Sequence, residues 1–228
     1  YLHASFDDFP EIYPMNRGLT VLVIASVLVI AFAGGTLWFK SAQAPEQAAT
    51  PPAAASSLVR FHSPVIGSAS APVTIVEFFD PSCEACRAFF PLVKKLLADN
   101  PDDVRLVLRY VLFHEGSETA ARILETARKQ GVYPQVLEAV MASQPQWHDD
   151  PQVTMAWAAA EQAGLDVDKA KAEMMSADIT STLEKDAADA KAVGIRQTPT
   201  FFVNGKSLPS FGSEQLINLV EEEVAQVK

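Results

Sequence analysis

The chain has 228 residues with a formal net charge of -10, and 49% of its residues are hydrophobic. That length and hydrophobic content suffice for one well-packed domain. The acidic balance, without a cluster of Lys and Arg, excludes a nucleic-acid partner, and two cysteines are too few for the multi-bridge framework of a small secreted domain.

The N-terminal part of the chain has the pattern of a membrane anchor. Residues 1–18 form a leading segment in which Met15 has the form of a natural start, so residues 1–14 would be an upstream extension. Residues 19–39 carry no charged side chain. As a helix they would reach about 30 Å, the thickness of the hydrocarbon core of a bilayer. We therefore expect one transmembrane helix there.

A cleaved signal peptide is the alternative for this segment, because Ala42-Gln43-Ala44 has the form of a cleavage site. The uncharged run is longer than the ~7–15 residues of a usual signal-peptide core, which favours an uncleaved anchor. An Ala/Pro-rich linker follows over residues 40–57, and its composition cannot bury a core.

The folded domain is expected over residues 58–228. It opens with a β-branched and aromatic run at 72–79, a helical pattern at 86–100 and a second strand-like run at 104–113. This order predicts a βαβ unit with parallel strands. A helical insert of four or five helices is predicted over about 115–194.

A second half follows the insert. Residues 198–210 predict two strands joined by an Asn204-Gly205 turn, and the last helix is expected to have Ser213 as its N-cap. A βαβ half and a ββα half would therefore flank the helical insert in an α/β fold.

The two cysteines, Cys83 and Cys86, lie where the first strand gives way to the first helix. The free N–H groups and positive dipole end of a helix stabilise an anion. Cys83 should therefore ionise readily and attack, while Cys86, one turn into the helix, should resolve the mixed disulfide. Zinc or Cu(I) binding is a weaker interpretation because no further ligands have suitable spacing, and a static bridge across two residues would stabilise little.

These features resemble the DsbA-like branch of the thioredoxin-fold thiol–disulfide oxidoreductases. The resemblance is carried by EFFDPSCEAC at 77–86, by Pro91 within the first helix, by the Thr198-Pro199 pair before a late strand, and by the helical insert. It covers residues 58–228. It implies a thioredoxin-like fold and a cis bond at Thr198-Pro199, in a loop beside the cysteines that presents its backbone to client proteins.

The resemblance also assigns Glu77 as an acid that shuttles protons to and from Cys86. A carboxylate within an apolar strand is costly unless it is paired or protonated, which fits that role. The alternative is that the strand lies at a sheet edge and Glu77 faces water. Between the cysteines, Glu84 and Ala85 stand where strong oxidants of the family have Pro-His.

The charge of Glu84 should raise the Cys83 pKa relative to a Pro-His site, and Arg87 would partly offset this effect. A weaker oxidant is therefore expected, with a reductase or isomerase as the alternative. A metal- or client-binding module without turnover is a third interpretation. No metal or organic cofactor is expected, because the dithiol carries the electrons.

Taken together, the sequence predicts an anchored disulfide oxidoreductase of the bacterial inner membrane, with its catalytic domain in the periplasm. Its expected partners are client proteins with thiols or disulfides, and a membrane redox partner that resets the dithiol.

Overall fold

The computed structural model describes residues 57–228 of the chain. The strands within this range are β1 (Val65–Gly67), β2 (Val73–Phe79), β3 (Val104–Tyr110), β4 (Thr200–Val203) and β5 (Lys206–Ser207). The α-helices are α1 (Glu84–Asp99), α2 (Ser117–Lys129), α3 (Tyr133–Ser143), α4 (Thr154–Gln162), α5 (Val167–Glu173), α6 (Ala177–Val193) and α7 (Ser213–Val227).

The five strands form one sheet in the order β1-β3-β2-β4-β5. Strands β2 and β3 are parallel, whereas β1 on β3, β4 on β2 and β5 on β4 pair antiparallel. Ile75 in β2 lies opposite Leu106 on one side and Val203 on the other. The central position of β2 explains its nearly continuous apolar sequence, since both of its faces are covered.

Alternate side chains of the central strands enter two separate cores, as the two-residue period of a strand requires. One face joins α1, α7 and the insert in the larger core, through Ile75, Phe79, Leu106, Leu108 and Phe201. The opposite face packs against Leu58 and α6, through Val76, Phe78, Val107, Val111 and Phe202. Both cysteines lie in the larger core.

The helical insert is joined to the sheet by buried charges. Arg109 of β3 is fully buried, and it donates to Asp186 Oδ1 at 2.9 Å and to Asp189 Oδ2 at 2.7 Å. It also donates to the carbonyl of Leu58 at 2.8 Å. His62 Nε2 lies 2.8 Å from the same Asp186 Oδ1. These bonds fix α6 and the start of the domain against β3.

Both predicted halves are present, as β2-α1-β3 and β4-β5-α7, with α2 to α6 between them. Three details of the prediction were wrong. Strand β1 was missed, because three residues are too short for a periodic signal. Strand β3 ends at Tyr110 rather than at 113. Helix α7 begins at Ser213, and its N-cap is Gly212.

The early end of β3 has a local cause. The carboxylate of Asp80 accepts the backbone N–H of Phe113 at 2.8 Å and that of His114 at 3.2 Å. These bonds hold the chain in a loop instead of a β-ladder.

The predicted anchor (19–39), the leading segment (1–18) and all of the linker except Ser57 lie outside the described residues. None of the helices within residues 57–228 has the length and hydropathy needed to cross a bilayer.

Candidate active site

The site lies where β2 ends and α1 begins. Cys83 is the N-cap residue of α1, with extended backbone angles, and its N–H donates to the carbonyl of Asp80 at 3.1 Å. The Asp80 side chain holds the same turn by accepting the N–H of Ser82 at 2.9 Å. The Cys83 sulfur is thereby placed at the positive end of α1, close to the free N–H groups of its first turn.

The two cysteines differ in their access to solvent. Both carry free thiols; Cys83 is 7% exposed and Cys86 is 1% exposed. Cys83 lines a surface depression of about 450 Å³, whereas Cys86 does not reach it. A client sulfur entering the depression therefore meets Cys83 first. This asymmetry agrees with the roles of attacking and resolving sulfur.

Electrostatics separate the two sulfurs further. The pKa of Cys83 is lowered to about 5, first by a hydrogen bond from the Cys86 thiol, then by the Thr198 side chain and the backbone N–H groups of Cys86 and Ala85, against the opposing effect of burial. Burial, followed by the bond to Cys83, raises the pKa of Cys86 far above its usual range. At neutral pH Cys83 is therefore a thiolate beside a neutral Cys86.

The loop before β4 closes the other side of the site. The peptide bond between Thr198 and Pro199 is cis. In the thiol form, Cys83 Sγ donates to the carbonyl oxygen of Thr198 at 3.3 Å. The buried Thr198 hydroxyl has no other partner among the described residues, so it can turn its proton to the thiolate once Cys83 ionises.

Glu77 is on the same face of β2 as Ile75 and Phe79, which is the face that packs with both cysteines. It is 3% exposed, and β2 is paired on both sides, so the alternative of an edge strand and a solvated carboxylate is wrong. Burial raises its pKa to about 8, with a smaller contribution from the negative charge of Cys83. Glu77 is therefore mostly protonated at neutral pH.

Glu84 and Arg87, which directly follow Cys83 and Cys86 in the chain, contact side chains of the insert. Glu84 is exposed, and its carboxylate points toward His148, with Oε1 3.9 Å from Nε2. Arg87 donates to Gln144 Oε1 at 3.1 Å instead of reaching the sulfur. Gln144 in turn donates to the carbonyl of Cys83 at 2.9 Å and so fixes the turn. Hydrogen-bond donors around Cys83 are the main cause of its lowered pKa. The effect of Glu84 on that pKa, relative to a Pro-His site, stays a prediction.

Sequence reasoning missed two histidines that line the depression with Cys83, His114 and His148. His114 Nδ1 lies 2.7 Å from Asp80 Oδ2. Burial lowers the His114 pKa, but the bond and charge of Asp80 and the charges of Cys83 and Glu84 outweigh it and raise the pKa overall. A signal for His114 existed: it directly follows the predicted parallel strand, whose carboxyl end meets the one before Cys83 at the same sheet edge.

Within residues 57–228, no three His, Cys, Asp or Glu side chains are grouped so as to hold a metal ion.

The family model described as Thioredoxin matches residues 61–222. Among solved structures, a thioredoxin-like oxidoreductase from Silicibacter pomeroyi DSS-3 is 30% identical, with a TM-score of 0.66 over 75% of this chain and 96% of the other. BdbD from Bacillus subtilis, solved in its oxidised form, is 29% identical, with a TM-score of 0.63 over 72% and 93% of the two chains. These matches confirm the predicted thioredoxin-like α/β fold.

The curated relatives are of two kinds. Disulfide bond formation protein D of Bacillus subtilis (strain 168) is 29% identical over 174 residues, which are 71% of this chain and 77% of that protein. The Na(+)/H(+) antiporter NhaA of Herminiimonas arsenicoxydans is 35% identical over 142 residues, 62% of this chain. The match spans only 22% of the length of that protein.

Proposed function

The chain belongs to the thioredoxin family, in its DsbA-like branch of thiol–disulfide oxidoreductases, and from this membership we propose that it exchanges disulfides with client proteins through Cys83 and Cys86. The observation that carries the proposal is the asymmetry of the pair. Cys83 lines the depression with a pKa lowered to about 5, whereas its neighbour is buried and has a raised pKa. Such a pair reacts at one sulfur and resolves at the other.

The proposed reaction begins with the Cys83–Cys86 disulfide. A client thiolate attacks Cys83 Sγ, a client–Cys83 disulfide forms, and the bond to Cys86 breaks with its electron pair on Cys86. Protonated Glu77 supplies the proton that Cys86 then takes. The second client thiolate attacks the client sulfur, and Cys83 leaves as a thiolate. The client dithiol has then lost two electrons to the enzyme dithiol.

We propose that clients are oxidised rather than reduced. A Cys83 pKa of about 5 stabilises the reduced enzyme, which makes the disulfide form a stronger oxidant. At pH 7 this ionisation stabilises the reduced form by about two pKa units relative to an unperturbed thiol. That stabilisation raises the reduction potential by roughly 60 mV. The charge of Glu84 favours a weaker oxidant than a Pro-His site, and the reduction potential of the pair decides how much of this gain remains.

The client-binding loop is proposed to be Thr198-Pro199. Its Thr198 carbonyl lies 3.3 Å from Cys83 Sγ, so an extended client segment would pass within reach of both groups. Backbone pairing of this kind tolerates many client sequences. No cofactor is needed, because the thiols carry both electrons.

The place of action is also a proposal. The uncharged segment 19–39 would hold the chain in the bacterial inner membrane, with residues 58–228 on the periplasmic side, where a membrane redox partner would reoxidise the pair. Alkaline extraction of membranes containing the full chain should leave it in the pellet. Protease added to spheroplasts should degrade the catalytic domain, and its protection would contradict this orientation.

The test of the activity is the reduction potential of the pair, measured against glutathione buffers. An oxidase gives a value toward the ~-120 mV end of the family range, and a reductase gives one near ~-270 mV. Cys83→Ser should abolish client oxidation, while Ser82→Ala, one residue away, should retain it. If Cys83→Ser still oxidised clients, the proposed function would be wrong.

A further inference from the structure

A second concavity lies beside the thiol depression, between the loop after β3 and the C-terminal end of α6. Its volume is about 470 Å³. Val111 and Ala190 form its floor and belong to the smaller core, which makes that floor rigid. Phe113, Lys191 and Arg196 stand at its rim. We call this concavity the rim groove.

The rim groove reaches the reactive sulfur along two stretches of chain. Phe113 borders the groove, and the next residue, His114, lines the depression that contains Cys83. On the other wall, Arg196 is two residues before Thr198, whose carbonyl lies 3.3 Å from Cys83 Sγ. The groove is therefore bordered by residues that lie one and two positions along the chain from groups next to the reactive sulfur.

The chemistry of the rim groove is apolar with positive charge. Phe113 is 52% exposed, so its ring is available to an apolar side chain of a bound segment. Lys191 and Arg196 are the charged residues of the groove, and within residues 57–228 neither is joined to a carboxylate by an ion pair. Two such cations give the groove a local positive charge on a chain whose net charge is -10.

We propose that the rim groove binds the client segment next to the reacting cysteine, and that it selects clients with an apolar and an acidic side chain there. This inference rests on the proposed function and adds its substrate preference. Phe113 covers the apolar side chain, while Arg196 and Lys191 attract the carboxylate. Because these cations are exposed, their contribution is modest and falls with salt.

The experiment uses the oxidised full chain in detergent and three peptides. Each peptide carries the same pair of cysteines, flanked on both outer sides by Phe-Asp, by Phe-Lys or by Ser-Ser. Wild type should oxidise the Phe-Asp peptide with a kcat/KM about three- to tenfold above that of the Phe-Lys peptide, and added salt should reduce this ratio. Arg196→Glu should reverse the preference.

Lys169→Glu is the matched control, because it makes the same change of charge at an exposed position of α5, outside the groove. It should leave the ratio of the two peptides unchanged. Phe113→Ser should lower kcat/KM for both Phe peptides and spare the Ser-Ser peptide. Equal ratios in Arg196→Glu and Lys169→Glu would overturn the proposal.

Dithiothreitol separates this proposal from the proposed function, since it is uncharged and has no flanking residues. If the Cys83–Cys86 disulfide fails to oxidise dithiothreitol, the proposed function and the client preference both fail. If it oxidises dithiothreitol but treats the three peptides alike, only the preference fails.

Discussion

The thiol of Cys86 should be the main support of the Cys83 thiolate, and two substitutions test this. Cys86→Ala removes the hydrogen-bond donor that is the largest cause of the lowered Cys83 pKa. Cys86→Ser keeps a donor of similar size at the same position. The two variants share the loss of the second thiol and differ in whether an X–H group faces Cys83 Sγ.

The expected magnitude follows from the size of the shift. The Cys83 pKa falls from 9.0 to about 5, and at ~1.4 kcal/mol per unit that is roughly 5 kcal/mol of preference for the thiolate. A hydrogen bond to a charged group contributes about 1.5–3 kcal/mol. Loss of the Cys86 donor should therefore raise the Cys83 pKa by about 1–2 units, to between about 6 and 7. Cys86→Ser should move it by less than half of that.

The assay is the rate of alkylation by iodoacetamide between pH 4 and pH 9, followed by mass spectrometry, because only the thiolate reacts. In the reduced wild type, the Cys83 rate should reach half of its maximum near pH 5. If that midpoint lay near the value of a free cysteine, the thiolate would not be stabilised and the proposed mechanism would fail. Equal midpoints in Cys86→Ala and Cys86→Ser would show that the Cys86 thiol is not the principal hydrogen-bond donor to Cys83.

Three further predictions concern charges around the site and in the core. His114→Gln should make the pair roughly 15–30 mV less oxidising, because it removes a side chain whose cationic form and the Cys83 charge favour each other; His114→Lys should restore most of the difference in potential. Glu77→Gln should stabilise the reduced protein by about 3 kcal/mol at pH 7 in urea unfolding. The Glu77 pKa is about 8 in the folded protein and 4.5 in the unfolded chain, so Glu77 lowers the free energy of unfolding increasingly between pH 4.5 and pH 8. Below pH 4.5 Glu77 is protonated in both states, and the variant should gain no stability there. Arg109→Met should destabilise the domain by about 3–5 kcal/mol, since it leaves the buried carboxylate of Asp186 without its cation, and a loss below ~1 kcal/mol would contradict the importance of that pair.

Local patterns in the sequence predict most of the fold. Strand β2 and helix α1 could be placed because an apolar run and a helical period adjoin each other, and the turn at Asn204-Gly205 followed from its residue types. Strand β1 could not, because its three residues have no periodicity and it forms only by pairing with β3. The position of a strand within the sheet is likewise set by distant partners, which is why the burial of Glu77 was open until β2 was seen to be central.

In the candidate site too, some features follow from local sequence and others depend on distant residues. The spacing of Cys83 and Cys86 and their place at a strand-to-helix junction assign their roles from sequence, since the helix terminus is a local feature. The charges that surround them are not local. His114 and Gln144 come from elements that the fold alone brings to the turn, and Gln144 carries no motif at all. The sequence between the cysteines therefore gives only part of the information that sets the Cys83 pKa.

The order of the pKa values around the pair argues for one direction of chemistry. Cys83 has the lowest, at about 5, Glu77 follows at about 8, and Cys86 lies far above both. When a client reduces the disulfide, the new Cys86 thiolate is thus the strongest base present, and Glu77, still mostly protonated at pH 7, is an acid within the same core. Cys83 needs no proton at that pH. Oxidation of the client therefore requires one favourable proton transfer, from Glu77 to Cys86. The reverse reaction must remove that proton from Cys86, which is the most basic group of the site.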